Sequence, residues 1–312
     1  MNRWLKWFAA ITGAALMAAC GSDDDPPPPA TPGTVAQVAQ AQGFNALLAA
    51  ANKAGLSARL DDPARLTVFA PTDAAFTALA TRLGFTSATA MVDALTPLQL
   101  SSILSYHVLA GEVKKASVPL GTGIATAEGG SFTVKSVGAD LVITDELMRD
   151  TRIGATDVAA SNGVIHVVDS VLLPEGVLNI VQTAQANPVF STLVSAVVSA
   201  NLAGTLGGAG PLTVFAPTDP AFAAIASTVA GLTPAQLTTV LTYHVVAGKV
   251  LATNIPFGVA VATVAGQNIT INAGTPPTIT DTTATAAGIV ATDIEASNGV
   301  VHVIDKVLIP VL

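Results

Sequence analysis

Cysteine, aromatic and charged residues are all scarce in this chain. Its 312 residues include one cysteine, two tryptophans and two tyrosines, and 11% of them are charged. A single cysteine excludes an intramolecular disulfide. Since aromatic residues make up 4% of the chain, the core has to be built from small aliphatic side chains, which is feasible at this length. At roughly 150 residues per domain, the length predicts about two domains.

A long apolar segment is also missing. Residues 1–19 begin with two basic side chains and continue as a short apolar run. A transmembrane helix needs about 20 apolar residues, so this run is typical of a secretory signal peptide. LMAAC at 16–20 resembles the cleavage site of a bacterial lipoprotein, which would make Cys20 the lipid-modified first residue. The alternative is an ordinary signal-peptidase site with an incidental cysteine.

Residues 20–33 are predicted to be a tether. They contain three aspartates and a proline run, which favour an extended, polyproline II conformation over a packed core. Gly21, and not an aspartate, follows Cys20. The resemblance to lipoproteins therefore implies an outer-membrane anchor facing the periplasm or the exterior, in a cell that has such a membrane. The predicted location is the cell envelope, or the medium if the protein is secreted.

Basic residues are the minority among the charges. The chain has 13 Lys and Arg against 21 Asp and Glu, a net of −8. Removing residues 1–19, with Arg3 and Lys6, leaves 11 basic and 21 acidic residues, a net of −10. An acidic surface argues against nucleic acid as a partner and against docking on anionic lipid. Membrane contact is therefore predicted through the lipid anchor only.

Four segments occur twice, in the same order. The longest pair shares ten of its fourteen positions. The pairs are LTVFAPTDAAF (66–76) and LTVFAPTDPAF (212–222), LTPLQL (95–100) and LTPAQL (232–237), YHVLAGEV (106–113) and YHVVAGKV (243–250), SNGVIHVVDSVLLP (161–174) and SNGVVHVIDKVLIP (297–310).

The spacing of these segments defines two tandem domains, 34–174 and 175–312. The offsets between copies are 146, 137, 137 and 136, so the first copy has nine extra residues between Phe76 and Leu95. Such a length difference is tolerated in a connection. The joint, LPEGVL at 173–178, has almost no linker, which predicts a restrained orientation of the two domains.

Local patterns predict helices early and strands late in each domain, an α+β class. Residues 35–51 and 180–198 have apolar residues at helical spacing. LTVFA is typical of a strand, and a further helix is predicted to run from Pro97 or Pro234 to the Tyr-His pair. Helix-capping residues are supplied by the PTD segment, with Asp73 and Asp219 as the caps.

The three motifs TVFAPTDxAF, YH and SNGVxHVxDxVLxP together resemble the fasciclin-like domain. Both halves carry all three, so the resemblance covers about 280 residues. It implies that each domain is a twisted β-wedge or sandwich with packed α-helices, in which the first and last motifs form neighbouring strands. It also implies cell adhesion, matrix contact and surface attachment. In animal members the Tyr-His pair and its apolar neighbours are implicated in integrin contact, and the matching candidates are Tyr106, His107, Val108, Leu109, Tyr243, His244, Val245 and Val246.

All four histidines and both tyrosines lie in the repeated motifs. A catalytic interpretation would pair Tyr106 with His107, and would let His166 and Asp169 orient a nucleophile or hold a metal. Helical spacing places His107 on an apolar face, and alternation along a strand points His166 and Asp169 to opposite faces. Histidines in such surroundings are typically buried and hydrogen-bonded, because an unpartnered polar group there costs about 1–3 kcal/mol.

The sequence therefore predicts a protein that is not an enzyme, with no catalytic residues, metal or cofactor. No serine stands in a nucleophile-elbow pattern, and the glycine runs lack the lysine of a phosphate-binding loop. Asp157 and Asp293 are predicted to order loops. The polar motif residues are predicted to be structural: Thr72, Asp73, His166, Asp169, Thr218, Asp219, His302 and Asp305.

Two functional hypotheses remain. The first is a secreted, lipid-anchored adhesion or interaction protein whose partner is extracellular matrix, polysaccharide or a surface protein. The second is an envelope protein that binds a small apolar or lipid ligand in a pocket between helices and sheet, which would require a large enclosed cavity.

Overall fold

The computed structural model describes residues 31–312, so the predicted signal peptide, Cys20 and most of the predicted tether lie outside the described residues. In the first domain the helices are α1 (Val35–Ala41), α2 (Asn45–Lys53), α3 (Ser57–Leu60), α4 (Asp73–Arg82), α5 (Ala88–Ala94) and α6 (Pro97–Tyr106). The strands are β1 (Leu66–Pro71), β2 (Val108–Ala110), β3 (Gly123–Ala125), β4 (Ser131–Val137), β5 (Asp140–Thr144), β6 (Asp150–Ile153), β7 (Val158–Ala160) and β8 (Gly163–Val168).

The second domain repeats this order of elements. Its helices are α7 (Ile180–Ala186), α8 (Ser191–Ser199), α9 (Ala203–Leu206), α10 (Asp219–Ala223), α11 (Ala226–Ala230) and α12 (Pro234–Tyr243). Its strands are β9 (Leu212–Pro217), β10 (Val245–Ala247), β11 (Ala260–Ala262), β12 (Asn268–Asn272), β13 (Thr278–Thr280), β14 (Ala287–Ala296) and β15 (Gly299–Ile304). Short 3₁₀ turns lie at Lys115–Ser117, Pro188–Phe190 and Ala252–Asn254.

Each domain contains one sheet, in which a parallel pair of strands is separated from one edge by a single strand. The strand order is β2-β1-β8-β6-β5-β4-β3 in the first domain, with β7 also on β8, and β10-β9-β15-β14-β13-β12-β11 in the second. The parallel pairs are β1 with β8 and β9 with β15, and the other pairs are antiparallel. The α+β class is thereby confirmed, as is the expectation that the first and last motifs are neighbouring strands.

The segments 35–51 and 180–198, whose apolar spacing predicts helix, are each divided into two helices. Gly43 takes φ +79° after α1, a conformation that favours glycine. The chain therefore turns there and starts α2 as a separate helix. In the second domain the 3₁₀ turn separates α7 from α8 in the same place. None of the helices in residues 31–312 combines the length and apolar character needed to cross a membrane.

The capping prediction for the PTD segments also needs correction. Thr72, and not Asp73, is the N-cap of α4, because its hydroxyl accepts from the Ala75 amide. The Asp73 carboxylate instead accepts from the Ala46 amide at 2.8 Å, and so caps α2, which has no side-chain cap of its own. The first turn of one helix thus supplies the cap of its neighbour.

Asp219 has the same role in the second domain. It accepts from the Thr192 amide at 2.8 Å and from the Ser191 hydroxyl at 2.5 Å, at the start of α8. Thr218 is the N-cap residue of α10 by position but makes no side-chain capping bond. Pro97 and Pro234 open α6 and α12 as predicted, behind threonine capping boxes.

Glycine is required where the paired strands meet. A Cβ on Gly163 would lie 2.1 Å from the Leu66 carbonyl oxygen, and one on Gly299 would lie 2.0 Å from that of Leu212. Both contacts are with backbone, which has no rotamer by which to withdraw. The glycine of the Asn-Gly sequence therefore permits close approach of β8 to β1.

We expect Gly163→Ala to destabilise the protein by about 1–3 kcal/mol, because the added methyl group forces β1 away from β8. Urea denaturation followed by circular dichroism measures this change. Gly204→Ala is the control, since a Cβ there meets nothing within 4 Å and alanine favours α9. Equal stability of Gly163→Ala and the unmodified protein would contradict the close-approach argument.

Candidate functional site

His107 and His244 lie at the ends of α6 and α12, where each joins two elements. The His107 Nδ1 donates to the Ile103 carbonyl at 2.7 Å, and its Nε2 accepts from the Leu172 amide at 2.9 Å. His244 makes the same two bonds, to the Val240 carbonyl and from the Leu308 amide, both at 2.8 Å. Each imidazole thus connects its helix to the chain that follows the last strand.

His166 and His302, on β8 and β15, use the opposite tautomer. The Nε2 of His166 donates to the Val113 carbonyl at 2.8 Å, and its Nδ1 accepts from the Asp157 amide at 3.3 Å. His302 bonds in the same way, to the Val250 carbonyl and from the Asp293 amide. These histidines connect the last strand of each domain to two distant loops.

Both nitrogens of all four imidazoles are therefore occupied by backbone groups. A general base or a metal ligand needs an available nitrogen lone pair, and none of these rings has one in this arrangement. Burial lowers the pKa of His107 and of His244 to about 4 and also lowers that of His302. These three rings are therefore neutral at pH 7.

The Tyr-His neighbourhood is buried, which corrects its assignment as a partner-binding surface. Tyr106 and Tyr243 are 0% exposed, His107 is 1% and His244 is 2%. The Tyr106 hydroxyl donates to the Ser131 carbonyl at 2.8 Å, and burial raises its pKa. Of the four apolar neighbours, three are buried as well, namely Leu109, Val245 and Val246. Only Val108 is partly accessible.

Asp169 and Asp305 come directly after the last strand of each domain. Both are exposed. Asp169 accepts from the Arg152 amide at 3.0 Å, and Asp305 accepts from the Gly288 amide at 2.7 Å. They attach the end of the last strand to its neighbour. Within residues 31–312, no group of three His, Cys, Asp or Glu side chains is placed to hold a metal ion.

Asn162 and Asn298 have a structural role that the sequence analysis missed. The Asn162 Oδ1 accepts from the Val35 amide at 2.8 Å, and its Nδ2 donates to the Leu60 and Asp62 carbonyls. Asn298 repeats all three contacts in the second domain. Both asparagines lie in the duplicated SNG segment, but this repeat does not identify the distant segments that they bind.

The joint between the domains contains a buried ion pair. Arg149, 8% exposed, contacts the Asp145 carboxylate at 2.8 Å and also donates to the Val171 carbonyl. Its other terminal nitrogen reaches the Ala186 carbonyl at the end of α7 in the second domain, at 3.4 Å. Asn187 adds a bond to the Leu147 carbonyl at 2.9 Å. One apolar cluster is continuous from the first domain into the second.

In the second domain the aspartate equivalent to Asp145 has a different cationic partner. Asp281 pairs with Lys306, whose ammonium lies 2.8 Å from the carboxylate and also donates to the Thr285 carbonyl at 2.6 Å. All of these partners lie within the second domain. The bridging arginine is therefore a feature of the first domain alone.

Three glutamates from both domains also meet near the joint. Glu175 donates its amide to the Glu146 carboxylate at 3.1 Å, and the next amide, of Gly176, donates to the Glu295 carbonyl at 3.0 Å. Burial, together with the neighbouring carboxylates of Glu146 and Glu295, raises the pKa of Glu175 to about 7.

Small apolar cavities lie beside His107 and His244, between the helices and the sheet. Their volumes are about 60 and 30 Å³. Pockets for small-molecule ligands have volumes of about 300–1,000 Å³. The large enclosed pocket that the apolar-ligand hypothesis requires is not found at these positions.

Comparisons with known proteins agree with this architecture. The Fasciclin domain family matches residues 42–174 and again 188–310. Protein sll1483 of Synechocystis sp. is 42% identical over 141 residues, 44% of this chain and 76% of that protein. Cell surface glycolipoprotein MPB83 of Mycobacterium bovis is 37% identical over 135 residues, 41% of this chain and 58% of that protein.

A solved structure of a FAS1 domain pair, from the insect cell adhesion molecule fasciclin I, matches 88% of this chain and 98% of that chain. The identity is 18% and the TM-score is 0.43. The two family matches span most of the sequence. The chain therefore belongs to the fasciclin-domain family and carries two such domains in tandem.

We expect His107→Leu to destabilise the protein at pH 7, because the Leu172 amide loses its buried acceptor and the Ile103 carbonyl loses a donor, at about 1–3 kcal/mol for each group. The unfolded chain binds a proton on this histidine near pH 6.5, and the folded chain only near pH 4. Stability from the neutral ring is therefore lost as the pH falls through this window. The difference between the two proteins should shrink by roughly 3 kcal/mol from pH 7 to pH 4.

Urea denaturation at several pH values measures this difference. Leu104→Ala is the control, since it should destabilise by about 2–5 kcal/mol with no pH dependence of its own in that window. A pH-independent effect of His107→Leu would contradict the neutral, buried assignment.

Arg149→Met should cost about 3–5 kcal/mol, because it leaves the Asp145 carboxylate buried without its cation. Arg152→Met is the matched control, since the Arg152–Asp140 pair is exposed to solvent and an ion pair there contributes little to stability. Calorimetry and urea denaturation of both variants test the difference. Equal effects of the two substitutions would show that the pair at the joint does not stabilise the fold.

Proposed function

We propose that this chain is a non-catalytic adhesion or interaction protein of the cell envelope, exported by residues 1–19 and held by a lipid on Cys20. Membership of the fasciclin-domain family supports the surface role, and one relative is named a cell surface glycolipoprotein. The observation that carries the proposal is the internal bonding of the motif residues: both nitrogens of every histidine are engaged by backbone. The repeated polar residues therefore build the scaffold, and the exterior is left for function.

The lipid anchor and tether would hold this scaffold away from the membrane. Residues 23–33, extended at about 3.1 Å per residue, would place the first domain roughly 30 Å from the bilayer surface. The proposed partners are extracellular matrix, polysaccharide or a surface protein. Two weak contacts on a restrained pair of domains gain avidity without strong individual affinity.

Bacteria that express the full chain, or its Cys20→Ser variant, test both parts of the proposal. We expect the full chain in the membrane fraction, with acyl chains on Cys20 detected by mass spectrometry, and Cys20→Ser in the soluble fraction. Cells with the anchored protein should adhere to surfaces coated with matrix protein or polysaccharide. Soluble domain pair added in excess should compete with that adhesion.

Expression of each variant is checked by immunoblot, so that a loss of adhesion reflects loss of anchoring. An unmodified Cys20 would contradict the anchor. Equal adhesion of cells with and without the protein would contradict the adhesion role.

A further inference from the structure

The two domains differ most where the first has its nine extra residues. There, α4 has ten residues and α5 has seven, whereas α10 and α11 have five each. In the first domain α2, α4 and α5 line a surface groove with a volume of about 620 Å³. This volume lies in the range of ligand sites, about 300–1,000 Å³. We call it the α5 groove.

The α5 groove is lined by small side chains along the helices and by polar side chains around them. Ala46, Ala49 and Ala88 line it along the helices. Three further lining residues, Asn52, Thr89 and Asp93, are exposed. Their amide, hydroxyl and carboxylate groups make no hydrogen bond within residues 31–312, so all three are available to a ligand.

The second domain provides an internal comparison for these three positions. Counted from the shared VFAPTD segment, Asn52 corresponds to Val198, and counted from the shared Leu-Thr-Pro segment, Thr89 and Asp93 correspond to Ala226 and Ala230. Val198 is 57% exposed, so the fold places no demand for a polar side chain there. Folding therefore does not account for the three polar groups of the α5 groove.

The chemistry of the α5 groove restricts what it can bind. The ammonium of Lys53 is directed to the Val92 and Asp93 carbonyls at 3.0 and 2.6 Å. The lining also contains the carboxylates of Asp73 and Asp93, so its charge is net negative and does not favour an anion. Asp73 already accepts from Ala46 and Asn45, which leaves Asp93 as the one uncommitted carboxylate of the lining. A hydroxyl-rich neutral molecule fits this set, because it donates to carboxylate and amide oxygens and accepts from amide and hydroxyl hydrogens.

We propose that the α5 groove binds a neutral oligosaccharide segment of a surface or matrix polysaccharide, with Asp93 and Asn52 as the principal hydrogen-bonding groups. This inference deepens the proposed adhesion function and rests on it. The lining offers small aliphatic surfaces and no aromatic ring. A single groove therefore binds weakly, with a Kd on the order of 0.1–1 mM.

The test uses the full domain pair and hexasaccharides of glucose, mannose and galactose, with hexagalacturonate as the anionic comparison. Binding is measured by NMR titration and calorimetry. The variant Asn52→Val/Thr89→Ala/Asp93→Ala introduces the side chains that the second domain has at these positions, so it is expected to fold, as thermal melting verifies. Gln42→Ala/Thr228→Ala removes two exposed polar side chains outside the groove and is the control.

We expect at least one neutral hexasaccharide to bind, with shifts at α2 and α5, and the triple variant to weaken it about tenfold or more through the loss of a charge-assisted hydrogen bond. The control should bind as the original protein does. Absence of binding by all three neutral sugars, undiminished binding by the triple variant, or preference for hexagalacturonate would each overturn the inference. If cells still adhere through the triple variant as well as through the original protein, the α5 groove is excluded while the adhesion function stands.

Discussion

The close parallel pairing of the first and last motif strands is the constraint on which each domain depends. Leu66–Pro71 pairs with Gly163–Val168 over its whole length, although about 95 residues separate the two strands. Chain closure over such a distance is entropically unfavourable, so the pair needs support from the loops around it. His107, His166 and Asn162 supply this support, because each bonds a distant segment to the pair or to the chain beside it. The polar residues of the motifs are therefore as much a part of the core as its apolar ones.

Comparison of the two copies distinguishes the side-chain contacts that the fold requires from those that can vary. The histidine, asparagine and aspartate bonds recur in both copies with nearly the same partners. The buried Asp145 and Asp281 recur as well, but their cations differ: Arg149 reaches into the second domain, and Lys306 stays within its own. A buried carboxylate needs a partner, and the fold does not determine where the partner comes from. In the first domain the partner is Arg149, which also makes a contact across the joint.

Much of this architecture could be predicted from the sequence, since repeats, capping threonines and period-two strands are local signals. The strand pairing followed from resemblance to a family. Three features could not be predicted, because each depends on contacts between distant segments. Asp73 caps α2 and not its own helix, Asn162 binds three segments at once, and Arg149 bridges the domains. The assignment of the Tyr-His segment to a partner-binding surface was wrong for a related reason. Helical spacing places His107 on an apolar face, but the exposure of its neighbours depends on their contacts with β1 and the rest of the sheet.

Because the motif residues are buried, the binding specificity of each domain depends on residues outside the motifs. Residues that hold the strand pair cannot change without loss of stability, and His107, His166 and Asn162 recur as His244, His302 and Asn298 in the second copy. Variation is tolerated at connections, and the nine extra residues before Leu95 lie in one. In the first domain α4 and α5 are longer than their counterparts α10 and α11. A joint stabilised by Arg149 would hold that surface in a fixed orientation to the second domain, so the two copies can present different surfaces on one scaffold.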